Sequence, residues 1–120
     1  MHGKFILSSL AVVIFLVGLA RPISAQSEKE FTVVTGLVAQ GANIWLPSTM
    51  IVKKGDAVKL NLRNVTKKEH GFSIDELNVK EVIRPGETKE VSIKPDSAGI
   101  YRYYCQLHGG HVGGQLLVQE

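Results

Sequence analysis

Val58, Leu60 and Leu62 alternate with Lys59, Asn61 and Arg63, and Val91 and Ile93 recur in the same rhythm between Lys89 and Lys94. Period-two alternation sets one face of an extended segment on a core and the other in water, and it reads as a half-buried antiparallel strand. Beyond the apolar N-terminal run no sustained 3.6-residue pattern occurs, so a helix would have no apolar stripe to bury. Further extended pieces read at 31–38 (FTVVTGLV), 50–53, 70–75, 79–83, 100–105 and 114–118. Between them, Lys54-Gly55-Asp56, Arg84-Pro85-Gly86-Glu87 and 95–99 have turn chemistry, because proline presets one turn dihedral and glycine supplies a positive one. Residues 26–30 read as a frayed polar start, and 41–47 as a connection carrying Trp45, the only tryptophan, as a packing residue. Seven or eight short strands punctuated in this way predict an all-β sandwich in a single domain.

The first 25 residues belong to a different class. Lys4 precedes an apolar run from Phe5 to Ala20, and Arg21-Pro22-Ile23-Ser24-Ala25 leads into the polar Gln26. That is the pattern of a secretory signal peptide cleaved after Ala25, and the run is shorter than the roughly 20 residues a membrane span needs. The reading therefore divides the chain into a leader, 1–25, and one domain, 26–120, soluble once the leader is gone and located in the periplasm or secreted. Losing Lys4 and Arg21 leaves 12 basic against 11 acidic residues. A net charge near zero, with no basic stripe carrying interleaved aromatics, excludes nucleic acid as the expected partner.

Export makes the cysteine count informative. A small domain in an oxidising compartment ordinarily carries cysteines in pairs, whereas Cys105 is alone. A single thiol must stay free, pair between chains or bind a metal. It stands in YYCQLHGGH, residues 103–111, together with His108 and His111. His2 lies in the leader, so His70 is the one other histidine of the domain, and it opens an extended segment after a polar loop. A Cys-x-x-His turn leaving a strand can aim sulfur and imidazole at one ion, and His70 can close the set from a separate strand. Thiolate with imidazole suits copper or zinc, and two imidazoles with one thiolate and a weaker axial donor is the electron-transfer copper arrangement. His111 is the further candidate donor, on a loop loosened by Gly109, Gly110, Gly113 and Gly114.

The segments MIVKKGDAVKLNLRN and HGFSIDELNVKEVIRPGETKEVSIKPDSAGIYRYYCQLHGGHVGGQLLV resemble the cupredoxin superfamily, within it most of all nitrosocyanin and the copper domain of cytochrome oxidase subunit II. The resemblance runs from about Pro47 to the C-terminus and implies a Greek-key β-sandwich holding one copper ion. Carried over by position, His70 matches the upstream histidine ligand, Cys105 the thiolate, His108 the second imidazole, and His111 the place of the axial donor. Three departures matter. Nitrosocyanin has a glutamate directly before GFSID, where this chain has His70 with Glu69 one position earlier; alternation keeps both from facing the metal and favours His70. The oxidase's binuclear centre needs two cysteines, so one implies a mononuclear site. No methionine follows Cys105, and Met50 reads as core; an axial His111 would favour Cu(II), lower the potential and give a green or red centre.

The leading expectation is thus an exported mononuclear copper protein passing single electrons to a redox partner protein. Three other functions compete: a nitrosocyanin-like centre that binds or transforms a small molecule such as nitric oxide, a copper carrier for oxidase assembly, and a structural zinc site. A cysteine hydrolase built on Cys105 and His108 ranks last, because nothing in the sequence supplies an oxyanion site. Asp75, Glu76 and Glu81 read as solvent-facing rather than as a carboxylate pair, and Lys53, Lys54, Lys67 and Lys68 as a solvated end of the sandwich.

Overall fold

The computed structural model describes residues 13–14, 17–20, 27–38 and 41–120. The leader expected at 1–25 falls largely outside the described residues. Among the described residues nine strands form: β1 (Glu28–Leu37), β2 (Asn43–Leu46), β3 (Thr49–Lys53), β4 (Ala57–Asn64), β5 (His70–Ile74), β6 (Val79–Ile83), β7 (Thr88–Ile93), β8 (Gly99–Tyr103) and β9 (Gly114–Gln119). One sheet runs β2-β1-β4-β7; the other runs β3-β9-β8 and is extended by the β5-β6 ribbon through a bridge between Ser73 and Tyr104. The chain crosses between the two layers after β2, β3, β4, β6 and β7, whereas β1–β2, β5–β6 and β8–β9 each pair within one layer, as in a Greek-key sandwich.

The additional strand is β2. Its four residues show no alternation, so nothing local marks them; they extend because β1 offers a partner edge, with Trp45 opposite Thr35. The described part of the expected frayed start is likewise structured, since Glu28 to Glu30 pair with Ala57 to Lys59 and the Glu30 carboxylate meets Lys59 at 3.1 Å and accepts from the Asn61 amide at 2.7 Å. Strand β4 alternates as the sequence requires, with Val58, Leu60 and Leu62 buried. It is antiparallel to β7, as expected, but parallel to β1. Alternation reports which face is covered and carries no information about the direction of a neighbour.

The core lies between the layers. Val33, Leu60 and Leu62 from one sheet meet Met50, Leu116 and Val118 from the other, with Phe72 and Ile74 of β5 at one end. Trp45 is fully buried and meets Phe72 edge-on at 5.4 Å between centroids, and Phe72 stacks on Tyr103 at 5.2 Å. Aromatic pairs at these separations add about 0.5–1.5 kcal/mol beyond their buried area. This aromatic column is the floor on which the histidines and the cysteine converge. The turn after β6 has the chemistry read from the sequence: Gly86 adopts φ 75°, and the Glu87 carboxylate accepts from the Arg84 N–H at 2.8 Å.

Candidate metal centre

Every residue of β5 is buried, so each polar group on it must find a partner inside the fold. Asn64 prepares the strand's entry. Its carboxamide donates to the carbonyls of Lys68 (2.7 Å) and Ile83 (2.9 Å) and accepts from the Thr66 N–H at 2.9 Å, folding 64–69 into a tight loop that delivers His70 to the core. Ser73 is satisfied by the Gln106 carboxamide oxygen at 2.8 Å. His70 is not. It is 1% exposed, and neither Nδ1 nor Nε2 has a hydrogen-bond partner. A buried polar group left unpaired costs about 1–3 kcal/mol, and two on one ring mark a residue whose partner is something other than protein.

Cys105 reaches the same place from β8. Reciprocal backbone bonds, Ser73 N–H to Tyr104 O at 2.9 Å and Tyr104 N–H to Ser73 O at 3.1 Å, lash the end of β8 to β5. The next residue is thereby set against the start of β5, where the Gly71 N–H donates to Cys105 Sγ at 3.1 Å. The chain then turns, and His108 Nδ1 lies 3.4 Å from the sulfur. Donor atoms of His70, Cys105 and His108 all fall within 4.8 Å of one another. His70 and Cys105 are buried, whereas His108 is half-buried and keeps an edge at the surface.

His111 adjoins this set without belonging to it. Its ring sits 4.9 Å from that of His70 and 5.6 Å from that of Trp45, and the residue is 8% exposed. Both nitrogens are engaged with protein: Nε2 lies 2.9 Å from Thr35 Oγ1, and Nδ1 lies 3.2 Å from the Val112 carbonyl. The loop read as loose is anchored, since Val112 N–H donates to Asn43 O at 2.8 Å and Trp45 N–H to Val112 O at 3.2 Å. Glu69 is exposed and Met50 lies in the core. Asp75 and Glu76 are exposed, and Glu81 is paired with Lys89 at 2.8 Å.

Two supporting residues and one side-chain hydrogen bond escaped the sequence reading. Thr35 shares the buried face of β1 with Val33, a polar residue on an apolar stripe, and that register was the available signal. Gln106 bridges β5 and β6, its amide donating to Glu81 O at 2.9 Å. Trp45 packs, as expected, but its Nε1–H also donates to Gly71 O at 2.9 Å.

Burial, helped by the neighbouring His111, His108 and Lys68, pushes the His70 imidazole down to about 4, and burial also holds His111 below the ordinary imidazole range. Both rings are therefore neutral near pH 7, the form in which imidazole binds metal. One sulfur and two imidazole nitrogens make a soft to borderline donor set suited to copper or zinc, with no carboxylate in the cluster to favour a hard ion. A groove of about 590 Å³ lies nearby, bordered by Ser48, Arg102, Tyr104, Val112 and Gln115, and none of the three donors lines it.

A model of the cupredoxin-like domain matches residues 9–118. Over 57 residues the chain is 42% identical to a nitrous-oxide reductase of Cupriavidus necator and 39% identical to one of Ralstonia nicotianae. Each match covers 45% of this chain and 9% of the relative, so the chain spans only a small part of those enzymes. Among solved structures, a Cu-containing nitrite reductase from Thermus scotoductus superposes with a TM-score of 0.64 at 27% identity, covering 78% of this chain and 28% of the other. A copper nitrite reductase from Nitrosomonas europaea gives 0.68 at 20% identity over 78% of this chain and 42% of that one, a likeness of fold.

Proposed function

The chain belongs to the cupredoxin-like domain family, and from that premise we propose that it is an exported, mononuclear copper protein that relays single electrons. The observation that carries the proposal is the pair of unpartnered nitrogens on the buried His70, set beside a lone cysteine and His108. Bound by this set, copper would supply a one-electron couple between Cu(I) and Cu(II) with strong electronic coupling to the thiolate. The protein's part is to hold the donors still. His70 is fixed at the start of a buried strand, and the Cys105 sulfur by the Gly71 N–H. Rigid donors suit electron transfer because little must rearrange when the oxidation state changes.

His108 gives the shortest way out. It is half-buried beside Leu107, which is 45% exposed, and two glycines, so a redox partner protein can approach its ring edge. The single thiol supports one ion rather than a bridged pair. Export rests on the apolar stretch between Phe5 and Ala20 that follows Lys4 and precedes Arg21-Pro22-Ile23-Ser24-Ala25. Among the described residues no helix is long and apolar enough to cross a membrane.

A second reading, binding or transformation of a small molecule such as nitric oxide, draws on the count of three gathered donors, which leaves a coordination position to fill. A role as copper carrier would instead require exchangeable metal. Protein-film voltammetry of the copper-loaded chain separates these. A reversible one-electron wave, unchanged by nitric oxide, with copper retained against a competing chelator, is expected for the electron carrier. A wave abolished by nitric oxide would establish the small-molecule role, and loss of copper to the chelator the carrier role.

A further inference from the structure

We propose that Thr35 sets how many donors the metal receives: its hydroxyl occupies the Nε2 lone pair of His111 and keeps that imidazole beside His70 instead of on the ion. The inference rests on the metal reading above. The Val112 carbonyl can only accept, so the 3.2 Å contact places the proton of the neutral ring on Nδ1. Nε2 then carries the free lone pair, and Thr35 Oγ1–H donates to it at 2.9 Å. The one atom of His111 able to bind a metal is thus capped by a hydroxyl.

The cap is rigidly mounted. Thr35 is fully buried, and its backbone pairs with Trp45 of β2 on one side and Asn64 of β4 on the other. A β-branched side chain on such a strand has few rotamers to choose from. The backbone around His111 is held as well, by His111 N–H to His108 O at 3.2 Å and by the two bonds joining Val112 to β2. What remains free to change is the orientation of the ring, which lies between His70 and Trp45. Without the hydroxyl, Nε2 becomes a buried, unpaired acceptor, and the metal on the adjoining His70 is the group left to take its lone pair. Thr35 is a positioning residue that acts through His111.

The test compares the full chain with Thr35→Val, Thr35→Ser, His111→Ala and the Thr35→Val/His111→Ala pair, each loaded with Cu(II) and separately with Co(II). Optical and paramagnetic spectra report the donor count without reference to activity. Thr35→Val is expected to shift both spectra toward a site with one more nitrogen donor, Thr35→Ser to match the parent, and the double variant to match His111→Ala. A Thr35→Val spectrum identical to the parent overturns the proposal, as does a shift that survives removal of His111. Nitrogen resonances of His111 in the metal-free parent give a reading that needs no variant: protonation at Nδ1 is expected, and protonation at Nε2 overturns the cap. Failure of the parent to bind either ion sinks the metal reading itself, which a failed Thr35 result with a coloured parent does not.

Discussion

Gly71 donates its backbone N–H to the Cys105 sulfur at 3.1 Å, so the residue after one candidate donor fixes the position of another 35 places along the chain from His70. Its carbonyl is committed too, accepting from Trp45. A Cβ at Gly71 would run into the Gln106 carboxamide, which is itself tied to Ser73 and Glu81. Gly71→Ala is therefore expected to destabilise the fold by about 1–3 kcal/mol, the usual cost of overpacking. It should also move the sulfur-to-metal absorption band, because the N–H to sulfur bond shifts with the backbone. Urea denaturation and the visible spectrum check the two effects, and an alanine variant with neither would remove Gly71 from the account.

Trp45→Phe keeps the aromatic floor but deletes the N–H that serves the Gly71 carbonyl. A buried carbonyl left without its donor costs about 1–3 kcal/mol, to be read as a lowered midpoint in thermal unfolding. In the parent, Trp45 is the only tryptophan and its ring lies 5.6 Å from that of His111. Copper loading is accordingly expected to quench the tryptophan fluorescence in proportion to occupancy. Fluorescence indifferent to copper would place the metal elsewhere.

Acid should weaken the metal-free fold. Burial lowers the His70 value from 6.5 to about 4, so between those values the unfolded chain binds a proton that the native chain refuses. Stability then rises with pH across this window, and falls as pH drops from about 6.5 toward 4 by at most about 3 kcal/mol. Denaturant midpoints of the metal-free protein at pH 7 and pH 4.5 test the sign. His70→Gln should flatten the dependence, and a parent more stable at pH 4.5 would contradict the burial of a neutral ring.

The layered architecture was legible because burial imposes its period on β4 and β7, and turn chemistry punctuates them. Strand β2 was not, since Asn43 to Leu46 extend only because β1 is there to receive them. The same division holds at the centre. Cys105, His108 and His70 stand out by residue type, a lone thiol and few imidazoles in a small domain. The roles of Thr35 and Gln106 arise from contacts across 76 and 33 positions, respectively, to His111 and Ser73, and no local spacing encodes them. His111 was legible as a candidate axial donor, but its hydrogen bonds to Thr35 and Val112 emerge only from the packed fold.

A Cu(II) titration of the metal-free protein, followed in the visible region and run beside Cys105→Ser, decides whether Cys105 holds copper. An intense sulfur-to-copper band saturating at one ion per chain, and absent from the serine variant, is the expected result. A parent that stays colourless with Cu(II), or a band that survives loss of the only thiol, would contradict a copper centre built on Cys105.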